Sequence, residues 1–362
     1  MYQKEIDALK RANRFRQRRV WDRALIDFAS NDYLALANNK EQLQKALEVV
    51  NEYDIHAPKA SMLVNGYHEI HQRFEQRLSG LNQFEEGMIV GSGFLANMSL
   101  IEALVRKKDM LFIDEDYHAS GMMATGLLGN RVIKFKHNDP NDLEKKLKAF
   151  QGGRKIIAVE GVYSMSGNLC DRAIFDLADS HNALLIVDEA HSSGVIGKTL
   201  LGVFEYYNIQ PQSNHIKMGT LGKAYGSYGA YILASSHILS FLVNRGKPII
   251  YSTAPSVIDT ALALVNIEQV AKDSQNYYKK IKERHQIIKD KLNITMKSLI
   301  LALPMPSNEA TITMQQQLIK EGFLIGAIRQ PTVAHPILRV IPRLGSSKQN
   351  LLNLCENVKI TL

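Results

Sequence analysis

The sequence predicts an α/β protein, with a mostly parallel sheet in a large domain and a smaller α+β domain at the C-terminal end. Three observations carry this. From about residue 87 to 235, short unbroken apolar runs alternate with helical patterns, the mark of strands buried on both faces and joined by crossover helices. After "YSTAPS" (251–256) the texture changes to one long helical stretch, a proline-broken segment and two further strand-like pieces. The length of 362 residues suits roughly two domains and a sizeable core.

In chain order, the first forty residues read as an arm leading into "LIDFASNDYLAL". "KEQLQKALEVV" follows as a helix with Leu43, Leu47 and Val50 on one face. "GMIVGSG" is a buried strand running into a turn, and "FLANMSLIEALV" is the helix after it. "MLFID" is a strand, and "NDLEKKLKAF" is a helix with Leu143, Leu147 and Phe150 aligned. "KIIAVEG" is a strand, "IFDLADSHN" a helix, and "ALLIVDEAH" and "AYILAS" are strands. From about 257 to 292 a helical stripe carries Tyr277, Ile281, Ile288 and Leu292. "LPMPS" breaks the chain before a helix-like "QQQLIKEGF" and the strand-like "LIGAIR" and "ILRVI". The expected division is an arm over 1–40, a large domain over 41–250 and a small α+β domain over 251–362.

Forty-four basic against 36 acidic residues give a net charge of +8, which suits phosphate-bearing or acidic partners without selecting one. "KRANRFRQRR" (Lys10 to Arg19) holds six basic residues and no acidic one. No nucleic-acid-binding module accompanies it, so it reads as a solvated face and no nucleic acid is expected. Cys170 and Cys355 lack metal-type spacing, which points to a reducing compartment. There is no apolar signal core and no run of membrane-spanning length. A soluble, cytoplasmic protein without metal or membrane is the expectation.

In open α/β sheets, ligands sit beyond the carboxyl ends of the strands, and three motifs fall there. "VGSGFLAN" sets Gly91, Gly93 and Ala96 at a strand-to-helix turn, where backbone N–H groups and the positive helix end attract an anion. With Asp114 about twenty residues on, the same spacing also fits a dinucleotide fingerprint, and alone it is as readily a plain tight turn. "LLIVDEAHSSGVIG" ends a buried strand on Asp188, with His191 three residues on; alone they read as a loop cap and a surface histidine. "GTLGKAYG" confines Lys223 between Gly222 and Gly226. Such a lysine serves as nucleophile or base, or its stem snorkels to the surface. Together the three change the odds. An anion cradle, a carboxylate for a protonated ring nitrogen and a lysine for an imine are what pyridoxal 5'-phosphate needs.

On these residues the chain resembles the α-oxoamine synthase family of pyridoxal-phosphate enzymes, from about Phe28 to Val340. "FASNDYLAL" is similar to the family's F-S-S-N-D-Y-L-G-L, "GSGFLAN" to S-G-F-x-A-N, and "DYHAS" to H-A-S. "VEGVYSMSGN" is similar to E-G-V-F-S-M-D-G-D, "VDEAHSSGVIG" to V-D-D-A-H-G-T-G-V-I-G, and "IYSTAPS" to I-Y-S-T. "AIRQPTV" followed by "LRV" resembles the branch that joins L-alanine to a pimeloyl thioester, carried on coenzyme A or an acyl carrier protein. The resemblance implies the aspartate-aminotransferase-like transferase fold (fold type I) and a decarboxylative condensation to 8-amino-7-oxononanoate for biotin synthesis.

It also implies residue roles. Lys223 carries the imine and moves protons, Asp188 pairs with the ring nitrogen, His191 reaches the ring hydroxyl, and His118 stacks on the ring. Ser92, Gly93, Phe94 and Thr220 hold the phosphate, with Thr253 donated across a homodimer. Glu160 and Ser164 line the cofactor pocket, and Asn31 and Arg339 take the amino-acid carboxylate. The sequence departs from the family pattern at "HAPKASMLVNGYHEIH" in place of a glycine-rich stretch. Further departures are the short arm, Ser192–Ser193 in place of G-T, and "LRVIPRLG" in place of L-R-L-T. These positions belong to the substrate mouth and the dimer contact. The alternatives are a relative using glycine with another acyl thioester, a nicotinamide-dependent oxidoreductase built on "GSGFLA" and Asp114, and a catalytically dead relative that binds a partner.

Overall fold

An unbroken run of Ile, Val, Leu and Ala is buried only when both faces of its strand are covered, and the apolar runs do become such strands. The computed structural model describes residues 1–361. Its strands are β1 (Ile26–Asp27), β2 (Glu86–Val90), β3 (Met110–Asp114), β4 (Val132–Phe135), β5 (Lys155–Glu160) and β6 (Leu184–Asp188). They continue with β7 (His215–Thr220), β8 (Ala230–Ala234), β9 (Leu301–Pro304), β10 (Phe323–Leu324), β11 (Gly326–Ile328) and β12 (Ile337–Val340). Two compact units result. The larger holds 34–164 and 168–279; the smaller holds 1–33, 165–167 and the chain from Lys280 onward.

The larger unit is built on a seven-stranded sheet in the order β2-β8-β7-β6-β5-β3-β4. Strand β8 runs antiparallel to both neighbours, and the other pairs are parallel. The helix Gly93–Leu104 packs Ala96, Leu100, Ile101 and Leu104 with Ile113, Ile156, Ile186 and Ile232 of the sheet. Register aligns Glu160 of β5 with Asp188 of β6, and Asp188 with Met218 of β7, so these strand ends share one edge.

The loop after β6 is held by a buried ion pair. Lys217 Nζ lies 3.5 Å from Glu189 Oε1, and both side chains are buried. Lys217 also donates to Asn82 Oδ1 at 2.8 Å and to the Leu201 carbonyl. Glu189 accepts from the Val203 N–H at 2.9 Å and from Ser192 Oγ at 2.5 Å, so each buried charge has hydrogen-bonding partners. Gly202, at φ +97°, passes so close that a Cβ there would stand 1.9 Å from Glu189 Oε2.

The smaller unit pairs β11-β12-β9 as an antiparallel sheet and β1 with β10 in parallel. Its core joins Phe28 to Ile288, Leu303, Leu318, Leu338 and Leu351. The sequence departure "LRVIPRLG" has a structural use here. Arg343 Nη1 donates to Asp27 Oδ2 at 2.8 Å, its Nε donates to the Asp32 carbonyl at 3.0 Å, and Nη2 donates to the Asp32 carboxylate.

The expected boundaries shift for packing reasons. Within the expected arm, Ile26–Phe28 is integral to the smaller unit, because β1 pairs with β10 and Phe28 is core. The long helical stretch is two helices, Val257–Lys272 and Ser274–Leu292, separated at Asp273. The first belongs to the larger unit, where Val257 and Ala261 pack with Ala46, Val50 and Ile70. The helix Lys40–Val50 turns Gln42, Ala46 and Val50 inward, leaving Leu43 44% and Leu47 37% exposed. Small Ala46 permits the close helix approach that a leucine would block.

Candidate active site

Lys223 follows β7 on the turn between Leu221, whose N–H donates to the Gly229 carbonyl, and β8. Its Nζ stands 2.7 Å from His191 Nε2, which the chain carries three residues past the end of β6. Asp188 closes that strand and is buried. Its Oδ1 accepts from the Ala190 N–H at 3.0 Å, and its Oδ2 accepts from Asn97 Nδ2 at 2.9 Å. Glu160, its neighbour in register, accepts the Ser164 N–H on Oε2 at 2.9 Å, while Oε1 is buried without a hydrogen-bond partner. Desolvation, and then the Asp188 charge, push the Glu160 carboxyl well above the usual carboxylate range.

His118 precedes the helix Ala119–Thr125 and stands on the exposed side of this cluster. Desolvation lowers its pKa, Asp188 acts against this, and the Lys223 cation adds to it. Ser120 meets His118 Nδ1 twice, through Oγ at 2.7 Å and through its backbone N–H at 3.3 Å.

The helix Gly93–Leu104 begins at this edge of the sheet. Ser92 caps it, its Oγ accepting from the Leu95 N–H at 3.3 Å. The first-turn N–H groups of a helix have no partner within it and favour an anion, and here they belong to Gly93 and Phe94. A Cβ on Gly93 would lie 3.8 Å from Thr220 Cβ, so Thr220 belongs to the same corner. Thr220 Oγ1 donates to the Gly229 carbonyl at 3.0 Å and receives the Gly222 N–H at 3.4 Å.

Within the smaller unit, Arg339 on β12 is buried, and its Nη1 donates to Asn31 Oδ1 at 3.0 Å. Thr253 lies exposed on the segment before the helix Val257–Lys272. Asp114, the acidic residue of the dinucleotide alternative, is fully buried and already engaged. It accepts from Tyr163 OH at 2.6 Å, from the Asn138 N–H at 2.7 Å and from the Asp116 N–H at 2.9 Å, and it pairs with His137 at 3.2 Å. It is a loop anchor, not a ribose ligand.

The larger unit therefore brings a lysine amine, a histidine, two strand-end carboxyls and a helix N-terminus to one edge. That set can hold an anionic group, keep a bound ring protonated and move a proton. Three residues of this cluster escaped the sequence reading: Asn97, Tyr117 and Ser120, which are buried and hydrogen-bonded to one another. The signal for Asn97 was present, as the only amide in "FLANMSLIEALV", a mostly apolar helix.

Comparison with known proteins identifies the family and the fold. The family model for aminotransferase class I and II matches residues 23–358. An 8-amino-7-oxononanoate synthase of Helicobacter pylori strain J99 is 44% identical over 358 residues, covering 98% of this chain and 96% of the relative. A putative 8-amino-7-oxononanoate synthase of Rippkaea orientalis is 36% identical over 321 residues, 87% of this chain and 84% of the relative. Among solved structures, serine palmitoyltransferase from S. paucimobilis with bound PLP aligns with a TM-score of 0.86 at 21% identity, over 93% of this chain and 87% of that one. An 8-amino-7-oxononanoate synthase from Francisella tularensis aligns with a TM-score of 0.76 at 24% identity, over 94% and 97%. At such identities the two structures speak for the fold, and it is the α/β transferase fold that the sequence predicts.

Proposed function

Because this chain belongs to the aminotransferase class I and II family, we propose that it is a pyridoxal-phosphate-dependent acyltransferase condensing L-alanine with a pimeloyl thioester. The products are 8-amino-7-oxononanoate, for biotin synthesis, carbon dioxide and the free thiol of coenzyme A or an acyl carrier protein. One observation carries the reading: likeness to 8-amino-7-oxononanoate synthases along nearly the whole chain.

The residues fit the cofactor. Glu160 Oε1 is a buried acceptor or donor awaiting a partner, and the Gly93 end of its helix is an anion site with Thr220 beside it. When bound, pyridoxal phosphate supplies an electron sink for the pair left at the amino-acid Cα as a proton or carbon dioxide departs. Lys223 would hold the cofactor aldehyde and would serve as the base at the amino-acid Cα. His191, 2.7 Å from Nζ, fixes the direction of that amine and reaches the ring hydroxyl. Asp188 keeps the ring nitrogen protonated, and His118 covers the ring face. Ser92, Gly93, Phe94 and Thr220 bind the phosphate, and Glu160 and Ser164 line the pocket wall. The reading includes a homodimer in which Thr253 serves the other subunit's phosphate. Tyr251, two residues away, is 81% exposed, a large side chain for a second copy to cover. It also includes a cytoplasmic location, which two unpaired, buried thiols favour.

Arg339 and Asn31 are the proposed grip on the amino-acid carboxylate, since a planar guanidinium holds a carboxylate by two parallel hydrogen bonds. Arg339→Lys keeps the charge and loses the fork. The expected result is a KM for L-alanine raised about 10- to 100-fold, as fits the loss of one charged hydrogen bond, with the visible spectrum of the resting enzyme unchanged. The function itself is tested by offering L-alanine or glycine with pimeloyl, acetyl or succinyl thioesters and measuring released thiol and product mass. L-Alanine with the pimeloyl thioester is expected to turn over fastest. Faster turnover with glycine overturns the assignment and favours another member of the family.

A further inference from the structure

We propose that Asn97 is a positioning residue whose single amide group fixes both the Asp188 carboxylate and the ring tautomer of His118. The proposal rests on the function above, because it concerns the two side chains that meet the cofactor ring.

A primary amide brings two N–H donors and one carbonyl acceptor, and burial obliges all three to find partners. Asn97 is 1% exposed, on a helix whose other buried residues, Ser99 apart, are apolar. Its Oδ1 accepts from Tyr117 OH at 2.7 Å. Its Nδ2 donates to Asp188 Oδ2 at 2.9 Å and to Ser120 Oγ at 2.9 Å. The opposite orientation of the amide is excluded, because it would set a carbonyl oxygen against the Asp188 carboxylate.

The direction of every proton then follows. Ser120 Oγ receives a hydrogen from Asn97 and, because the Ser120 backbone N–H already donates to His118 Nδ1, gives its own hydrogen to that nitrogen at 2.7 Å. The Ser120 backbone N–H points at the same nitrogen at 3.3 Å. Two donors directed at Nδ1 leave no place for a proton there, and neutral His118 carries its hydrogen on Nε2. On the other side, Asp188 receives an N–H on each oxygen, from Asn97 and from Ala190, which fixes the plane of the carboxylate. Tyr117, Glu160, His191 and Lys223 are the remaining titratable groups of the cluster. Tyr117 spends its hydroxyl hydrogen on the Asn97 carbonyl, so it holds the amide from behind. The amide thus couples the counter-ion of the ring nitrogen to the histidine that covers the ring.

The test uses the holoenzyme and three variants. Asn97→Asp keeps the shape and places an oxygen opposite Asp188, Asn97→Ala removes both donors, and Ser120→Ala cuts only the arm to His118. Two measurements are made: the dissociation constant for pyridoxal phosphate with the pH titration of its visible band, and the His118 tautomer from 15N resonances. Asn97→Asp is expected to weaken cofactor binding at least about tenfold and to shift the titration by about one pH unit, as adjacent like charges do. Asn97→Ala moves both in the same direction by less. Ser120→Ala leaves the titration in place and, with only the backbone N–H left on Nδ1, raises the share of the Nδ1–H tautomer. Variants that only melt earlier, with wild-type titration and tautomer, overturn the proposal. Should the wild-type protein take up no cofactor, the functional reading fails instead. The tautomer of the unloaded protein then decides this inference, and a proton on Nδ1 overturns it.

Discussion

Lys223→Ala folds like the wild type and condenses L-alanine at least about a thousandfold more slowly, since a positioned general base alone contributes about 10²- to 10⁴-fold. The fold survives because Lys223 sits on a turn between Gly222 and Ala224, where alanine adds no bulk and leaves the sheet intact. The chemistry is expected to fail, because the Nζ held 2.7 Å from His191 is the amine proposed to carry the imine and to act as base. Lys217, on the preceding strand, does not replace it, because it is buried and committed to Glu189, Asn82 and Leu201. Borohydride reduction of the wild-type holoenzyme, followed by digestion and mass spectrometry, is expected to add the cofactor's mass to the peptide containing residue 223. The alanine variant is expected to bind pyridoxal phosphate without covalent attachment, held by the phosphate corner at Gly93 and Thr220. A reduced adduct on another lysine, or a variant of near-normal turnover, refutes the role given to Lys223.

The parts legible in the sequence were those written in local pattern. "KIIAVEG" and "LLIVD" are continuous apolar runs, and each becomes an inner strand of the sheet. Lys223, Asp188 and His191 were legible because each follows a strand end, and the topology of a parallel sheet gathers such ends. The features that were missed depend on partners distant in sequence. Asn97 finds Asp188 at a separation of 91 residues, and no single-sequence pattern pairs them. In the Lys40–Val50 helix the stripe with Leu43 and Leu47 is the more apolar, yet contact with Val257–Lys272 selects the one with Gln42 and Ala46. The break at Asp273 carries no Gly or Pro, so the periodicity runs through it unmarked. Domain limits were hidden for the same reason: Ile26–Asp27 becomes a strand only because Phe323–Leu324, some 300 positions later, supplies its partner.

Asp188→Asn is expected to retain covalent cofactor at Lys223 yet lose about 10²- to 10⁴-fold in turnover. Breaking a buried ion pair costs about 3–5 kcal/mol, and about 1.36 kcal/mol corresponds to a factor of ten. The wild-type carboxylate accepts one N–H on each oxygen, from Ala190 at 3.0 Å and from Asn97 at 2.9 Å. An asparagine there has one acceptor and one donor, so its NH2 faces another N–H whichever way it turns. On the role proposed for Asp188, the negative charge that keeps the ring nitrogen protonated is lost, and with it the pull on electrons from Cα. Glu160 reports the same change independently. The Asp188 charge is the second largest cause, after desolvation, that holds the Glu160 carboxyl protonated. In the variant Glu160 therefore ionises at lower pH than in the wild type, and the sign is testable by infrared difference spectroscopy of the carboxyl stretch. Glu160→Gln is the control, since it leaves the Asp188 charge and both its hydrogen bonds in place; its loss in turnover is expected to be smaller than that of Asp188→Asn. If the two variants lose activity equally while the visible band of each titrates as in the wild type, the ring nitrogen is not governed by Asp188. The division of labour between the two strand-end carboxyls would then have to be redrawn.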